Sequence, residues 1–291
     1  MLWLMAGNKL LDWEGAVNWL LDQPDQAELA RAAYFDQPTS VPARRYHGSA
    51  EFAELRRYLP KQPGRALDLG AGNGILSFAL AVDGWQVTAV EPDPSALIGA
   101  GAIRALAKDT GTAIDVVEAF GEAIPLEAAN YDLVIARQVL HHANDLGQFC
   151  REMARLARPG GLVITLRDHV ISSPKQLPAF LAKHPLHHLY GGENAFEAGQ
   201  YRDALTGAGL RISKELGSFA SVINYDPMRP DQVRAAIADR VGSKLSFLGP
   251  PLRAGLSLLP LQAIGAVATL LDKRPGRLVS FICEKEVRDA G

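Results

Sequence analysis

Cysteine is scarce. The chain of 291 residues has two, Cys150 and Cys283, and neither sits in a Cys-x-x-Cys pair. That argues against a disulfide framework and against a thiolate zinc site, and it fits a reducing, cytosolic compartment. An excess of one charge is also missing. Lys and Arg number 30 against 32 Asp and Glu, a net charge of −2, so nothing in bulk points to nucleic acid, whose partners are usually basic. No run is long and apolar enough to be read as a membrane span. Met1-Leu2-Trp3-Leu4-Met5 is apolar but short, lacks a basic leader and soon meets Asp12 and Glu14, so no signal peptide is expected. Internal repeats and low-complexity tracts are absent too. What is present is ordinary globular composition, 48% hydrophobic and 21% charged, enough to bury a sizeable core.

Residues 1 to about 60 read as helices: Leu10, Leu11, Val17, Leu20 and Leu21 recur at helical spacing, a second helix is expected over 26–34, and a third over 49–59 with Ser49 as its N-cap. After Lys61-Gln62-Pro63-Gly64, strands and helices alternate, which predicts a parallel sheet with crossover helices. Strands are expected over 65–69, 86–90, 113–117, 131–136, 162–166, 210–216 and 277–284, with helices over 74–82, 94–108, 145–157 and 196–208. About sixty residues separate the last two strands, far more than an ordinary connection. They hold an amphipathic stretch over 230–241 and a strongly apolar one over 245–271.

Asp68-x-Gly70-x-Gly72-x-Gly74 follows the first strand and opens a helix, and Glu91 ends the second strand. Glycines let the backbone turn tightly and approach a ligand, and a helix N-terminus adds outward-pointing N–H groups. A carboxylate at Glu91 can accept both hydroxyls of a ribose. A dinucleotide site is one reading. It wants a third glycine where Ile75 stands, and it rarely carries an acid two residues before the first glycine, as Asp68 is. A strand-to-helix turn without a ligand is the bland one.

Ala66-Leu67-Asp68-Leu69-Gly70-Ala71-Gly72-Asn73-Gly74 resembles motif I of class I S-adenosylmethionine-dependent methyltransferases. Val90-Glu91-Pro92, Tyr131-Asp132-Leu133-Val134 and Leu156-Ala157-Arg158-Pro159-Gly160-Gly161-Leu162 resemble that family's second-strand, fourth-strand and fifth-strand motifs, so the likeness covers about residues 60–170. The resemblance implies an α/β, doubly wound, Rossmann-like seven-stranded sheet with the last strand antiparallel, N-terminal helices, and a helical insertion before the last strand. On that expectation residues 1–60 form a helical cap and 61–291 the core, with a substrate lid over about 170–195 and the insertion over about 218–275. The implied cofactor is S-adenosyl-L-methionine. Asp68, Gly70, Ala71, Gly72, Asn73 and Gly74 would hold its methionine part, Glu91 and Pro92 its ribose, and Phe120, Gly121 and Glu122 its adenine, with Arg137 at the end of strand four. The family often has an acid where Phe120 stands. Adenine would then lie on Phe120 and bond to backbone amides, or Glu122 would serve as the acid; the competing reading makes Phe120 a core residue.

Methyl transfer needs the acceptor aligned with the methyl group and any acceptor proton removed. No Asp/Asn-Pro-Pro-aromatic motif and no Pro-Cys follow strand four, which disfavours methylation of nucleic-acid bases. Leu140-His141-His142 resembles a subfamily that includes quinone-biosynthesis and small-molecule enzymes. His141 and His142 are candidate general bases, with a structural role as the competing reading. Six of the seven histidines lie between 141 and 188. Arg167, His169, His184, His187, His188, Tyr190 and Asn194, together with Tyr46, are candidate substrate contacts. Three readings of the histidine cluster stand open: a polar pocket for a hydroxylated substrate, a divalent metal held by residues such as Asp168, His169, His187 or His188, and a structural lid. The expected activity is O-methylation of a hydroxyl on a small molecule or glycan unit. C-methylation of a quinone-like or lipid precursor, or cofactor binding without catalysis, are the alternatives. The apolar stretch at 245–271 reads as a helical lid, a homodimer contact, or a peripheral membrane contact.

Overall fold

A strand buried on both faces must be apolar almost throughout, and Arg65–Leu69 (β1) meets that condition: Ala66, Leu67 and Leu69 are fully buried. The computed structural model describes residues 10–242 and 259–287. Around β1 it assembles Gln86–Val90 (β2), Ile114–Val117 (β3), Tyr131–Arg137 (β4), Ala157–Ile171 (β5), Phe196–Glu197 (β6), Leu210–Leu216 (β7) and Arg277–Lys285 (β8). The sheet order is β3-β2-β1-β4-β5-β8-β7, and the two-residue β6 adds to β5. Strands β1 to β5 pair in parallel, whereas β8 runs antiparallel to both β5 and β7. The doubly wound path of seven strands is therefore the expected one. Its direction of growth reverses at β1 and β4, which opens a crevice at their C-terminal ends.

Side chains alternate across the sheet. Leu67, Leu69, Val134 and Ala136 point into one apolar layer with Phe149, Met153, Tyr201 and Phe281. Ala66, Leu133 and Ile135 point into the other, with Leu76, Phe78, Tyr46 and Phe52.

Several boundaries differ from expectation. Strand β5 is 15 residues long, not five. The Arg158-to-Gly161 turn is taken up as a bulge between the pairs Tyr131–Ala157 and Leu133–Leu162, and pairing with β8 and then β6 carries the strand on to Ile171. Asp168 and His169 therefore lie in the sheet and not in a loop beyond it. The helix expected over 94–108 begins at Ala100. A β-carbon on Gly99 would come 2.1 Å from the Asp93 carbonyl, a closeness the loop needs glycine to allow. Phe196 and Glu197 are β6, and the helix behind them is Ala198–Gly207.

The unpredicted helix Ser40–His47 carries Tyr46, and Ala50–Leu55 starts at Ser49, whose hydroxyl accepts the Phe52 N–H at 3.1 Å. Tyr46, Phe52 and Leu55 are fully buried in the core, so the cap boundary expected at residue 60 falls inside the packed layer. The part that stands over the crevice is residues 10–35. There Trp13 packs on Tyr190 (ring centroids 4.6 Å apart) and the Leu11 N–H donates to the Leu189 carbonyl at 2.9 Å. This cap and the segment 174–194 form one roof.

In the insertion, Pro230–Gly242 and Leu261–Leu271 are helices whose Val233, Ile237, Ile264 and Ala268 close a small core with Phe219. Leu259, Val267, Leu270 and Leu271 are exposed. The apolar stretch over 245–258 lies outside the described residues. Among those described, no helix is long and apolar enough to cross a membrane.

Candidate active site

A cavity of about 660 Å³ runs from the glycine loop, under the roof, to the histidines. At its first end Gly70, Gly72 and Gly74 all adopt positive φ, of 62°, 56° and 82°. A β-carbon at Gly70 would sit 2.6 Å from a Val139 methyl, so only glycine lets the loop lie this close. The Gly72 N–H donates to Glu91 Oε2 at 2.7 Å, and the Asp93 N–H to Oε1 at 3.0 Å. Each carboxylate oxygen keeps a further lone pair. Burial raises the Glu91 pKa. Asp68, at the end of β1, is buried and accepts the Ser77 hydroxyl at 2.6 Å, and burial pushes its carboxyl up to about 7.

Phe120 is 67% exposed and lies on the cavity wall, which sets aside its core reading. Gly121 beside it has no room for a side chain, since a β-carbon would meet the Phe149 ring at 2.0 Å. Glu122 accepts the Asn144 N–H at 2.9 Å. Asp68, Gly70, Ala71, Gly72, Asn73, Glu91, Pro92, Phe120, Gly121, Glu122 and Arg137 all reach the wall. Gly74 does not. It caps the helix Ile75–Val82. Two of the wall residues have other commitments. The Asn73 amide donates to the Tyr34 carbonyl at 2.7 Å, tying the cap to the loop. The Arg137 guanidinium donates to both oxygens of Glu51, at 2.6 and 2.9 Å, and to Gln138. It serves this buried ion pair and is not a free cation for a cofactor.

At the other end stand His141, His142, Arg167, His169, His184 and Tyr190, all on the wall, joined by Glu193. His187, His188 and Asn194 lie off it: His188 meets Trp19 edge-on in the roof. Tyr46 is off it as well, fully buried with its hydroxyl donating to Glu51 at 3.0 Å, because the helix that carries it packs into the core. Gln138 and Arg167 line the cavity with φ near +60°, a costly conformation for side-chain-bearing residues that clusters at functional sites.

The two neighbouring histidines differ. His141 is buried, with Nδ1 3.0 Å from Asp168 Oδ1 and Nε2 3.6 Å from Glu193 Oε2. Burial opposes its protonation, but these two carboxylates outweigh it and push its pKa up to about 9. Its other side faces the rings of His142 and His169, at centroid distances of 4.2 and 4.7 Å. His142 opens onto the cavity solvent with protein on most sides. Its Nδ1 lies 2.9 Å from the Gly192 carbonyl. A carbonyl only accepts, so Nδ1 carries the proton and Nε2 keeps a lone pair. Burial and then the His141 charge lower the His142 pKa. Glu193 and Asp168 complete this end. The first was legible only as part of Tyr190-Gly191-Gly192-Glu193 in the lid. Glu51 had no signal, because Arg137 is 86 residues away.

A sheet of this order, with a glycine loop after β1 and an acid closing β2, defines a class I methyltransferase fold. Residues 67–165 match the methyltransferase domain family, and the fold around them is that of the class I methyltransferases. Its relatives include the ubiquinone biosynthesis O-methyltransferase of Methylocella silvestris, 40% identical over 119 residues, which are 40% of this chain and 45% of the relative. The enzyme of that name from Rhizobium leguminosarum bv. trifolii is 28% identical over 159 residues, 53% of this chain and 62% of the relative. The chain thus spans less than two thirds of the length of these relatives. Among solved structures, a putative sarcosine dimethylglycine methyltransferase from Galdieria sulphuraria has a TM-score of 0.55 at 19% identity, covering 87% of this chain and 90% of that one. Phosphoethanolamine N-methyltransferase 2 of Haemonchus contortus, in complex with S-adenosyl-L-methionine, has a TM-score of 0.57 at 17% identity, covering 93% and 60%.

Proposed function

We propose that this chain transfers a methyl group from S-adenosylmethionine to a hydroxyl oxygen of a small molecule, free or glycan-borne. One observation carries the reading: a single cavity joins the loop and carboxylate of Gly72 and Glu91 to the histidines behind β4 and β5. The residues of the first end suit the cofactor. The Glu91 oxygens have lone pairs left for ribose hydroxyls, Phe120 offers an exposed ring to a flat base, and a β-carbon on Gly72 would meet nothing nearer than 4.0 Å, leaving that face open. The bound cofactor supplies an electrophilic methyl on a sulfonium. The chain's own residues hold it and exclude water under the roof.

His142 is the residue we assign to the acceptor proton. Its Nδ1–H is fixed on Gly192, so Nε2 is the one accepting nitrogen of the pair not facing a carboxylate. The relatives' names support O-methylation over the C-methyl alternative. The exposed Leu259, Val267, Leu270 and Leu271 remain as a contact face for a second copy of the chain or a membrane surface, which light scattering and vesicle co-sedimentation separate.

Calorimetry with S-adenosylhomocysteine and with NAD tests the donor. Binding of the first alone is expected, and Glu91→Ala should weaken it at least about tenfold by removing charge-assisted hydrogen bonds. Tight NAD binding would sink the reading. In a panel of hydroxylated acceptors, His142→Ala should lower kcat by about a hundredfold or more while S-adenosylhomocysteine still binds. Undiminished turnover removes His142 from the reaction.

A further inference from the structure

Among the described residues Glu193 is the carboxylate of the roof that lines the cavity, and its two oxygens have different surroundings. Oε1 accepts the Tyr190 hydroxyl. Oε2 is buried and accepts no hydrogen bond, although imidazole nitrogens surround it: His141 Nε2 lies at 3.6 Å and His184 Nε2 at 3.7 Å. Those spacings are too long for hydrogen bonds. They are close to the separation of about 3.3 Å that two ligand atoms adopt on one tetrahedral ion with bonds of about 2.0–2.1 Å. His169 belongs to the same group. One ligand atom each from His141, His169 and Glu193 falls within 4.8 Å of the other two.

The outer partners point the same way. A metal-bound histidine normally donates its other ring N–H to a carboxylate or a backbone carbonyl, which fixes the tautomer and aims the lone pair. Both histidines do this. His141 Nδ1 is 3.0 Å from the Asp168 carboxylate, and His169 Nδ1 is 3.1 Å from the Gly276 carbonyl. Nδ1 is the donor in each, so Nε2 is the ligand atom, and an ion bound there takes the place of the Nε2 proton of His141. The Tyr190 hydroxyl plays the matching part for Glu193. We infer that His141, His169 and Glu193 form a binding site for a divalent transition-metal ion at the histidine end of the cavity. Two imidazoles and one carboxylate suit zinc or a neighbouring first-row ion better than calcium or magnesium. Three protein ligands leave a coordination position for an oxygen from the cavity, the arrangement of an open site. That this oxygen belongs to the methyl acceptor rests on the methyltransferase reading. Binding of the ion does not.

The probe is Co2+, added to the chelator-treated whole chain. One equivalent should bind with visible d–d absorption, and Zn2+ should displace it. Glu193→Gln and His169→Ala should each weaken Co2+ binding at least about tenfold, and Asp168→Asn, which alters only an outer partner, by about ten- to a hundredfold. His188→Ala, off the wall, should bind as the native chain does. Calorimetry with S-adenosylhomocysteine on the same samples shows whether each variant is folded and reports on the donor end separately. If His169→Ala does not fold, Glu193→Gln still decides. Native protein that takes up less than one equivalent overturns the site, whether or not it binds S-adenosylhomocysteine. So does Co2+ binding unchanged in Glu193→Gln, and the cluster is then an ion-paired support for the roof.

Discussion

Asp68 shows what burial does to a single side chain. The carboxyl sits at the end of β1 with one hydroxyl partner, and its pKa stands near 7 instead of in the ordinary carboxylate range. A raised folded-state value means that the folded chain holds a proton the unfolded chain has released. Between the unfolded value near pH 4 and the folded value near 7, stability therefore falls as pH rises. Asp68→Asn removes this dependence. Denaturant unfolding at a series of pH values should show the native chain losing stability on the order of a few kcal/mol across that window relative to the variant. Parallel curves would show that Asp68 is not the group concerned. The His141 pKa is raised as well, but toward the charged form, because two carboxylates outweigh its burial where Asp68 has a single hydroxyl. Neither shift is visible in a residue name, since both depend on neighbours brought from other strands.

At the scale of elements, the helix Ala50–Leu55 is joined to the sheet by Glu51. This carboxylate is 1% exposed, holds Arg137 at the end of β4 through two hydrogen bonds and lies 3.3 Å from Arg167 in β5. Burial opposes its charge, but the two arginines outweigh it and lower its pKa. Removing Arg137 takes away the closer of the two counter-charges of this buried carboxylate. Arg137→Ala should cost about 3–5 kcal/mol of unfolding free energy in urea, well beyond a surface ion pair. A loss below about 1 kcal/mol would mean that water reaches the pair. The cap at Ser49 was legible in the sequence, and its side chain accepts the Phe52 N–H; the helix expected from residue 145 has Asp145 as its cap, accepting the Gln148 N–H. The helix Ser40–His47 was not legible. Two prolines and a basic pair hide its pattern, and its buried face is set by the helix Ile75–Val82, which lies elsewhere in the chain.

For the whole molecule, the cavity draws its floor from the sheet, its roof from residues 10–35 and 174–194, and one of its ends from Gly70 to Glu91. A ligand that touches all of these stabilises the fold as a unit. S-adenosylhomocysteine at a hundred times its Kd should add about 2.7 kcal/mol, read as a rise in Tm, with no rise from NAD. A shift with NAD and none with S-adenosylhomocysteine would reverse the donor assignment.

The glycine loop, Glu91 and the strand-and-helix alternation were determined by the sequence alone, for a physical reason. Each depends on residues adjacent in the chain, and a left-handed turn at Gly70, Gly72 and Gly74 or an apolar run of five is written locally. The class of fold follows from such local signals. The acceptor end does not. Asp168 and His169 entered the sheet only because β8 pairs with them, Glu193 became significant only beneath three imidazoles, and Tyr46 left the site for the core. These positions were decided by packing between segments tens of residues apart, and the long-range contacts that set them leave no periodic mark in the chain.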